Sequence, residues 1–69
     1  MATGTIRRWV EDRGFGFIRP ESGGDDVFVH MSQFEIAGLG IPSEGDRVTY
    51  EAKPDPRSGK LRAMNLARA

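Results

Sequence analysis

Two short runs, Arg13-Gly14-Phe15-Gly16-Phe17-Ile18 and Val27-Phe28-Val29-His30, carry the side chains whose types and spacing point most clearly to a chemistry. At the two-residue period of a strand, Phe15 and Phe17 share one face, and Gly16 and Ile18 share the other. The second run repeats the arrangement, with Val27 and Val29 on an inner face and Phe28 and His30 facing outward. Two neighbouring strands of this kind would set the rings of Phe15, Phe17, Phe28 and His30 on one surface, flanked by Arg13 and Arg19. Exposed rings edged by guanidinium groups form a platform on which unpaired bases stack.

Other chemistries find little support. His30 is the single histidine, and with no cysteine in the chain nothing completes a zinc site; the nearby Asp25-Asp26 pair is a poor substitute. As a catalytic base His30 has no evident nucleophile or orienting partner. Gly14 and Gly16 do not extend into a dinucleotide-binding fingerprint, because no third glycine and no helix follow. The expectation is therefore a binding protein with no catalytic residues, metal, cofactor or small-molecule substrate. Phe15, Phe17 and Phe28 could instead be core residues, but Ile6, Ile18, Val27, Val29, Val48, Tyr50 and Leu66 already fill the opposite faces, and so short a chain cannot bury both sides of its sheet. A second functional reading keeps the rings exposed and makes them the docking patch of a protein-interaction barrel, with weak or no nucleic-acid binding.

The elements that must position these residues are short strands. At 69 residues the chain is expected to form one domain over residues 1–69, with its core at about 4–67. Gly4 to Val10 reads as a first strand with Ile6 inward, and a turn through Glu11-Asp12-Arg13-Gly14 leads to a second strand from about Phe15 to Arg19, stopped by Pro20. Glu21-Ser22-Gly23-Gly24-Asp25 is a turn by composition, and Asp26 to His30 is the third strand. Between Met31 and Glu44 the alternation lapses; Ser32 is expected to cap a single helical turn that tucks Phe34 inward. The fourth strand is Arg47 to Ala52, with Val48 and Tyr50 inward. A proline-bounded loop precedes the fifth, Lys60 to about Leu66, with Met64 and Leu66 inward. Five short strands in so few residues indicate an all-β barrel or sandwich, and closure removes exposed edges.

Ten basic and ten acidic residues leave a formal net charge of zero, which runs against the usual basic footprint of nucleic-acid binders. The distribution is more favourable than the sum. Arg7, Arg8, Arg13 and Arg19 lie in or beside the first two strands, whereas many acids fall in turns. Binding that relies on stacking tolerates neutrality, and its salt dependence is then shallow. No apolar run reaches the length of a membrane span and the N-terminus has no signal-like pattern, so the expectation is a cytoplasmic monomer with no membrane partner.

Gly14-Phe15-Gly16-Phe17-Ile18 and Val27-Phe28-Val29-His30 resemble the two ribonucleoprotein motifs of bacterial cold-shock proteins, in sequence and in the spacing between them. Asp25-Asp26, Ser32 and Glu44-Gly45 extend the resemblance over nearly the whole chain. It implies a five-stranded antiparallel barrel of the oligonucleotide-binding (OB-fold) type. It also implies a protein that holds single-stranded RNA or DNA with little sequence demand, often with a mild pyrimidine preference, as an RNA chaperone or a post-transcriptional or antitermination regulator. Carried over by position, Phe15, Phe17, Phe28 and His30 match stacking residues, Arg7 and Arg13 replace lysines, and Asp26 matches an aspartate that bonds a base edge.

The departures concern the platform itself. The family usually carries Lys-Trp-Phe-Asn in the first strand, where this chain has Arg7-Arg8-Trp9-Val10. Arg8 thus takes the tryptophan position and Trp9 the phenylalanine position. Simple alternation sends Arg8 and Trp9 to opposite faces unless a bulge intervenes, and both are retained as candidate binding residues. Met31 stands where a phenylalanine is usual, and Leu39 near a usual loop aromatic. Each lost ring costs on the order of 1–3 kcal/mol of binding, partly offset by guanidinium stacking at Arg8 and the adaptable thioether of Met31. Weaker binding than that of a full aromatic platform is expected.

Overall fold

The computed structural model describes Met1–Ala69. Its elements are β1 (Ala2–Val10), β2 (Phe15–Pro20), β3 (Val27–His30), α1 (Met31–Ala37), β4 (Arg47–Pro54) and β5 (Leu61–Arg68). The five strands close into a barrel in the order β1-β2-β3-β5-β4. β1, the longest strand, pairs with β2 on one side and, through Ala2 to Thr5, with β4 on the other. Closure is completed between β3 and β5. This pair is parallel and rests on one register position, Phe28 opposite Arg62, whereas the other four pairs are antiparallel. The barrel is therefore mixed, a correction to the purely antiparallel expectation. α1 intervenes after β3, and the chain then enters β4 rather than hairpinning directly into β5.

The interior follows the alternation of the strands. Ile6, Ile18, Val27, Val29, Val48 and Tyr50 are buried as expected, together with Phe34, Ala63 and Leu66. Gly4 permits the β1–β2–β4 junction to close. A methyl group there would lie 2.5 Å from Ile18 Cγ2 and 2.7 Å from the Arg19 carbonyl oxygen.

β1 begins at Ala2 rather than Gly4, because Ala2 and Thr3 are held by pairing with Tyr50 and Thr49, and β4 runs to Pro54 rather than Ala52. Larger departures from expectation occur at α1 and β5. α1 is capped by the His30 side chain, which accepts the Ser32 backbone N–H, rather than by Ser32 itself. The helix runs to Ala37 and ends on Gly38 at φ 71°, whose N–H bonds back to the last turn. Phe34 is its buried residue, as expected. In β5 the inward positions are Ala63 and Leu66, three apart, and Met64 is only half-buried. Asn65 adopts a left-handed φ of 52°, and the β4–β5 register shifts between Thr49 and Glu51. That irregularity lets both Ala63 and Leu66 face the core.

Tyr50 is 1% exposed, and burial raises its phenolic pKa above the ordinary value. The folded chain thus retains this proton at pH values where the unfolded chain has released it. The corresponding stability is complete below about pH 10 and is lost as pH rises through the raised folded value. Urea denaturation should accordingly show a midpoint that falls on the alkaline side, with a flatter alkaline limb in Tyr50→Phe. Parallel limbs for the two proteins would exclude Tyr50 as the source.

Candidate nucleic-acid interface

The outward face of β2 and β3 gathers the phenylalanines. The strand register sets Phe17 opposite Phe28 and Phe15 opposite His30, while Gly16 and Ile18 face Val29 and Val27 on the core side. Phe15 and Phe28 lie 5.4 Å apart between centroids at an interplanar angle of 36°, and Phe17 stands edge-on to both, 6.0 Å from each at 81° and 73°. Such offset and edge-to-face contacts are favourable among rings. They hold the three side chains in place while leaving them half-buried rather than enclosed. His30 is exposed at the end of the row, its Nδ1 3.1 Å from the Ser32 backbone N and 2.9 Å from Ser32 Oγ. In the neutral ring, accepting from the backbone N–H at Nδ1 leaves Nε2 as the donor.

β1 supplies the arginines through a bulge. Its register with β2 slips between Ile6 and Arg8, so that Ile6 pairs with Ile18 and Arg8 pairs with Phe17. Arg7 is the extra residue, and both arginines are exposed. Arg7 Nη1 donates to Asp26 Oδ2 at 2.9 Å. Beyond the bulge Trp9 turns the other way. It packs on the core, meets Phe34 edge-on at 5.5 Å and 79°, and lies against Gly16, where a methyl group would come within 2.5 Å of Trp9 Cε3 and clash with the Arg8 carbonyl oxygen. Its indole Nε1 is buried without a hydrogen-bond partner.

The remaining candidates are more scattered. Met31 packs over the β1–β2 turn, its backbone N–H donating to the Gly14 carbonyl at 2.8 Å and its sulfur 2.7 Å from where a Gly14 Cβ would be. Arg13 is exposed on that turn. Leu39 packs against the core. The structure thus brings together Phe15, Phe17, Phe28 and His30, with Arg7, Arg8 and Asp26 alongside, and turns Trp9 away from the ring cluster.

A track of three grooves crosses this face. The first, ≈ 620 Å³, is lined by Arg7, Arg8, Phe17, Asp25, Asp26 and Lys60, among others. The second, ≈ 300 Å³, shares Phe17, Lys60 and Leu61 with it and adds Phe28 and Arg62. The third, ≈ 220 Å³, continues past Phe28 and Arg62 to His30, Gln33 and Met64. Lys60, Leu61 and Arg62 were not anticipated from the sequence. The signal was present, because Lys60, Arg62 and Met64 share one face of a strand; reading Met64 inward would also have buried two cations.

The 'Cold-shock' DNA-binding domain family matches residues 2–69. The chain belongs to the cold-shock domain family. Its relatives include the protein named "Probable cold shock protein y4cH" of Sinorhizobium fredii, 48% identical over 66 residues and 96% of either chain. Cold shock protein CspA of Rhizobium meliloti is 46% identical over 69 residues, the full length of both. The major cold shock protein of Micrococcus luteus is 38% identical over 68 residues, 99% of this chain and 98% of its own. This cold-shock domain is a nucleic-acid-binding protein, and its Phe15/Phe17/Phe28 cluster fits that work. No helix in it is long and apolar enough to cross a membrane.

The close approach of Gly16 to β1 makes a specific demand on the cold-shock barrel. Gly16→Ala must displace either the β1 backbone or the Trp9 ring, and overpacking of this kind costs about 1–3 kcal/mol. Denaturant unfolding should register that loss together with a shift in Trp9 emission. An unchanged midpoint would mean that the strand pair yields freely.

Proposed function

We propose that this cold-shock domain binds single-stranded RNA and DNA by stacking bases on Phe15, Phe17, Phe28 and His30. Arg7, Arg8 and Arg13 serve phosphates or base faces, and Asp26 serves a base edge. The observation that carries the reading is the cluster of three half-buried phenylalanines with centroids 5.4–6.0 Å apart on one open face. A duplex hides its base faces in the stack and offers such a surface nothing to cover, whereas an unpaired strand can splay its bases onto it. Lys60 and Arg62 join the set as cations along the track. Met31 contributes through its contact with the turn at Gly14, and Trp9 supports the platform from the core side.

A monomer of this kind in the cytoplasm needs no cofactor, metal or catalytic step. Occupying unpaired segments opposes their re-pairing, which is the work of an RNA chaperone and of a post-transcriptional or antitermination regulator. The protein-partner reading uses the same rings, but the apolar surface they could extend into is small: of the exposed large apolar side chains only Leu61 lines the track, while Ile36 and Ile41 lie off it.

Fluorescence anisotropy with labelled oligo-dT, oligo-U and a matched duplex tests the proposal. Saturable binding to both single strands is expected, with little to the duplex, and Phe17→Ala and Phe28→Ala should each weaken it by about 1–3 kcal/mol. Full affinity in both variants would remove stacking from the mechanism, and indifference to every oligonucleotide would favour a protein partner. The cations yield a separate prediction. Lys60→Gln and Arg62→Gln should each make the slope of log K against log salt shallower by about 0.7, the value of one phosphate contact to a single strand. Unaltered slopes would place these residues outside the phosphate path.

A further inference from the structure

The groove at the Arg8 end of the track differs from the rest of the interface. Beside one aromatic face, that of Phe17, it combines Arg7, Arg8 and Lys60 with the carboxylates of Asp25 and Asp26. Three cations against two carboxylates leave the groove close to neutral, a weaker draw for a phosphate than a groove of cations alone, and stacking by itself requires no charge. Donors and acceptors around a ring suit the edge of a base that itself offers both.

The β1 bulge determines which of the groups are free. Arg7 is committed to Asp26 Oδ2 at 2.9 Å. Arg8, paired in register with Phe17, takes no part in either ion pair of the fold, Arg7–Asp26 or Arg47–Glu21. Asp26 keeps its Oδ1, and Asp25 is exposed. The groove therefore presents one open guanidinium fork and free carboxylate oxygens next to a stacking surface.

Guanine is the base that matches this set. It presents two adjacent acceptors, O6 and N7, on one edge and two adjacent donors, N1–H and the N2 amino group, on another. Adenine sets an amino donor beside N7, where a fork needs an acceptor. Cytosine has one donor group, and thymine and uracil place N3–H between two acceptors. We propose that Arg8, with Asp25 and Asp26, makes this groove a guanine-selective subsite, in which guanine stacks on Phe17, turns O6 and N7 to Arg8 and donates to the carboxylates. The inference rests on the stacking reading of the same face and adds a base preference to it.

The test compares short oligothymidines in which one central position is thymine, guanine, adenine or 7-deazaguanine, with anisotropy measured on the full chain. A single guanine should tighten binding by about 5- to 10-fold, the lower part of what a bidentate base contact supplies. Adenine and 7-deazaguanine, which lack the O6/N7 acceptor pair, should not. In Arg8→Lys, which keeps the charge and loses the fork, the guanine and thymine oligonucleotides should bind alike, whatever their common affinity. An equal gain from adenine would mean that purine size drives the preference and would overturn the proposal, as would a guanine preference that survives Arg8→Lys. Binding with no preference at all refutes the guanine subsite while sparing the stacking mechanism. Failure of every oligonucleotide to bind removes both.

Discussion

One slipped register in β1 governs what this barrel presents to solvent. With strict alternation, Ile6 inward would bring Arg8 inward as well and leave Trp9 outside. The bulge at Arg7 inverts the rest of the strand, so the guanidinium of Arg8 emerges opposite Phe17 and the indole of Trp9 enters against Phe34. Burying an arginine without a partner would be costly, whereas an indole packs well at the price of one unpaired Nε1. The same slip requires Gly16 on β2, because no side chain fits between the Arg8 carbonyl and the Trp9 ring. Sequence, strand register and the character of the outer face meet at this position.

The legible parts of the sequence were those where simple alternation holds. Phe15, Phe17, Phe28 and His30 on one face and Ile18, Val27 and Val29 on the other follow from a two-residue period in strands without bulges. The core residues Ile6, Val48 and Tyr50 follow in the same way. Alternation failed where the backbone leaves it. In β1 the sequence left the facing of Arg8 and Trp9 open, because a bulge is set by packing on both sides of the strand. In β5 the left-handed Asn65 let Ala63 displace Met64 from the core, and with that the cations of the fifth strand went unnoticed. The helix cap falls on His30, two residues before the serine that residue preference favours, because histidine is an uncommon capping side chain. The parallel β3–β5 joint required knowledge of the chain path, which local pattern does not carry.

Neutral composition and nucleic-acid binding are reconciled by arrangement. Arg47 pairs with Glu21 away from the track, and Arg7 pairs with Asp26 at its edge. Arg8, Lys60 and Arg62 remain outside both pairs and line the grooves. The positive field over the grooves is thus local and short in range, in keeping with a surface whose centre is aromatic.

The joint between β3 and β5 has a further consequence. It is the seam at which the barrel shuts, and Phe28 and Arg62, the two residues that meet across it, also form facing lips of the same groove. On the proposed mode of binding, recognition and closure would occupy one place in the molecule. A residue on either lip answers to two demands at once, the shape of the groove outside and mechanical continuity of the wall beneath. The freedom to retune this face is correspondingly narrower than its exposure suggests.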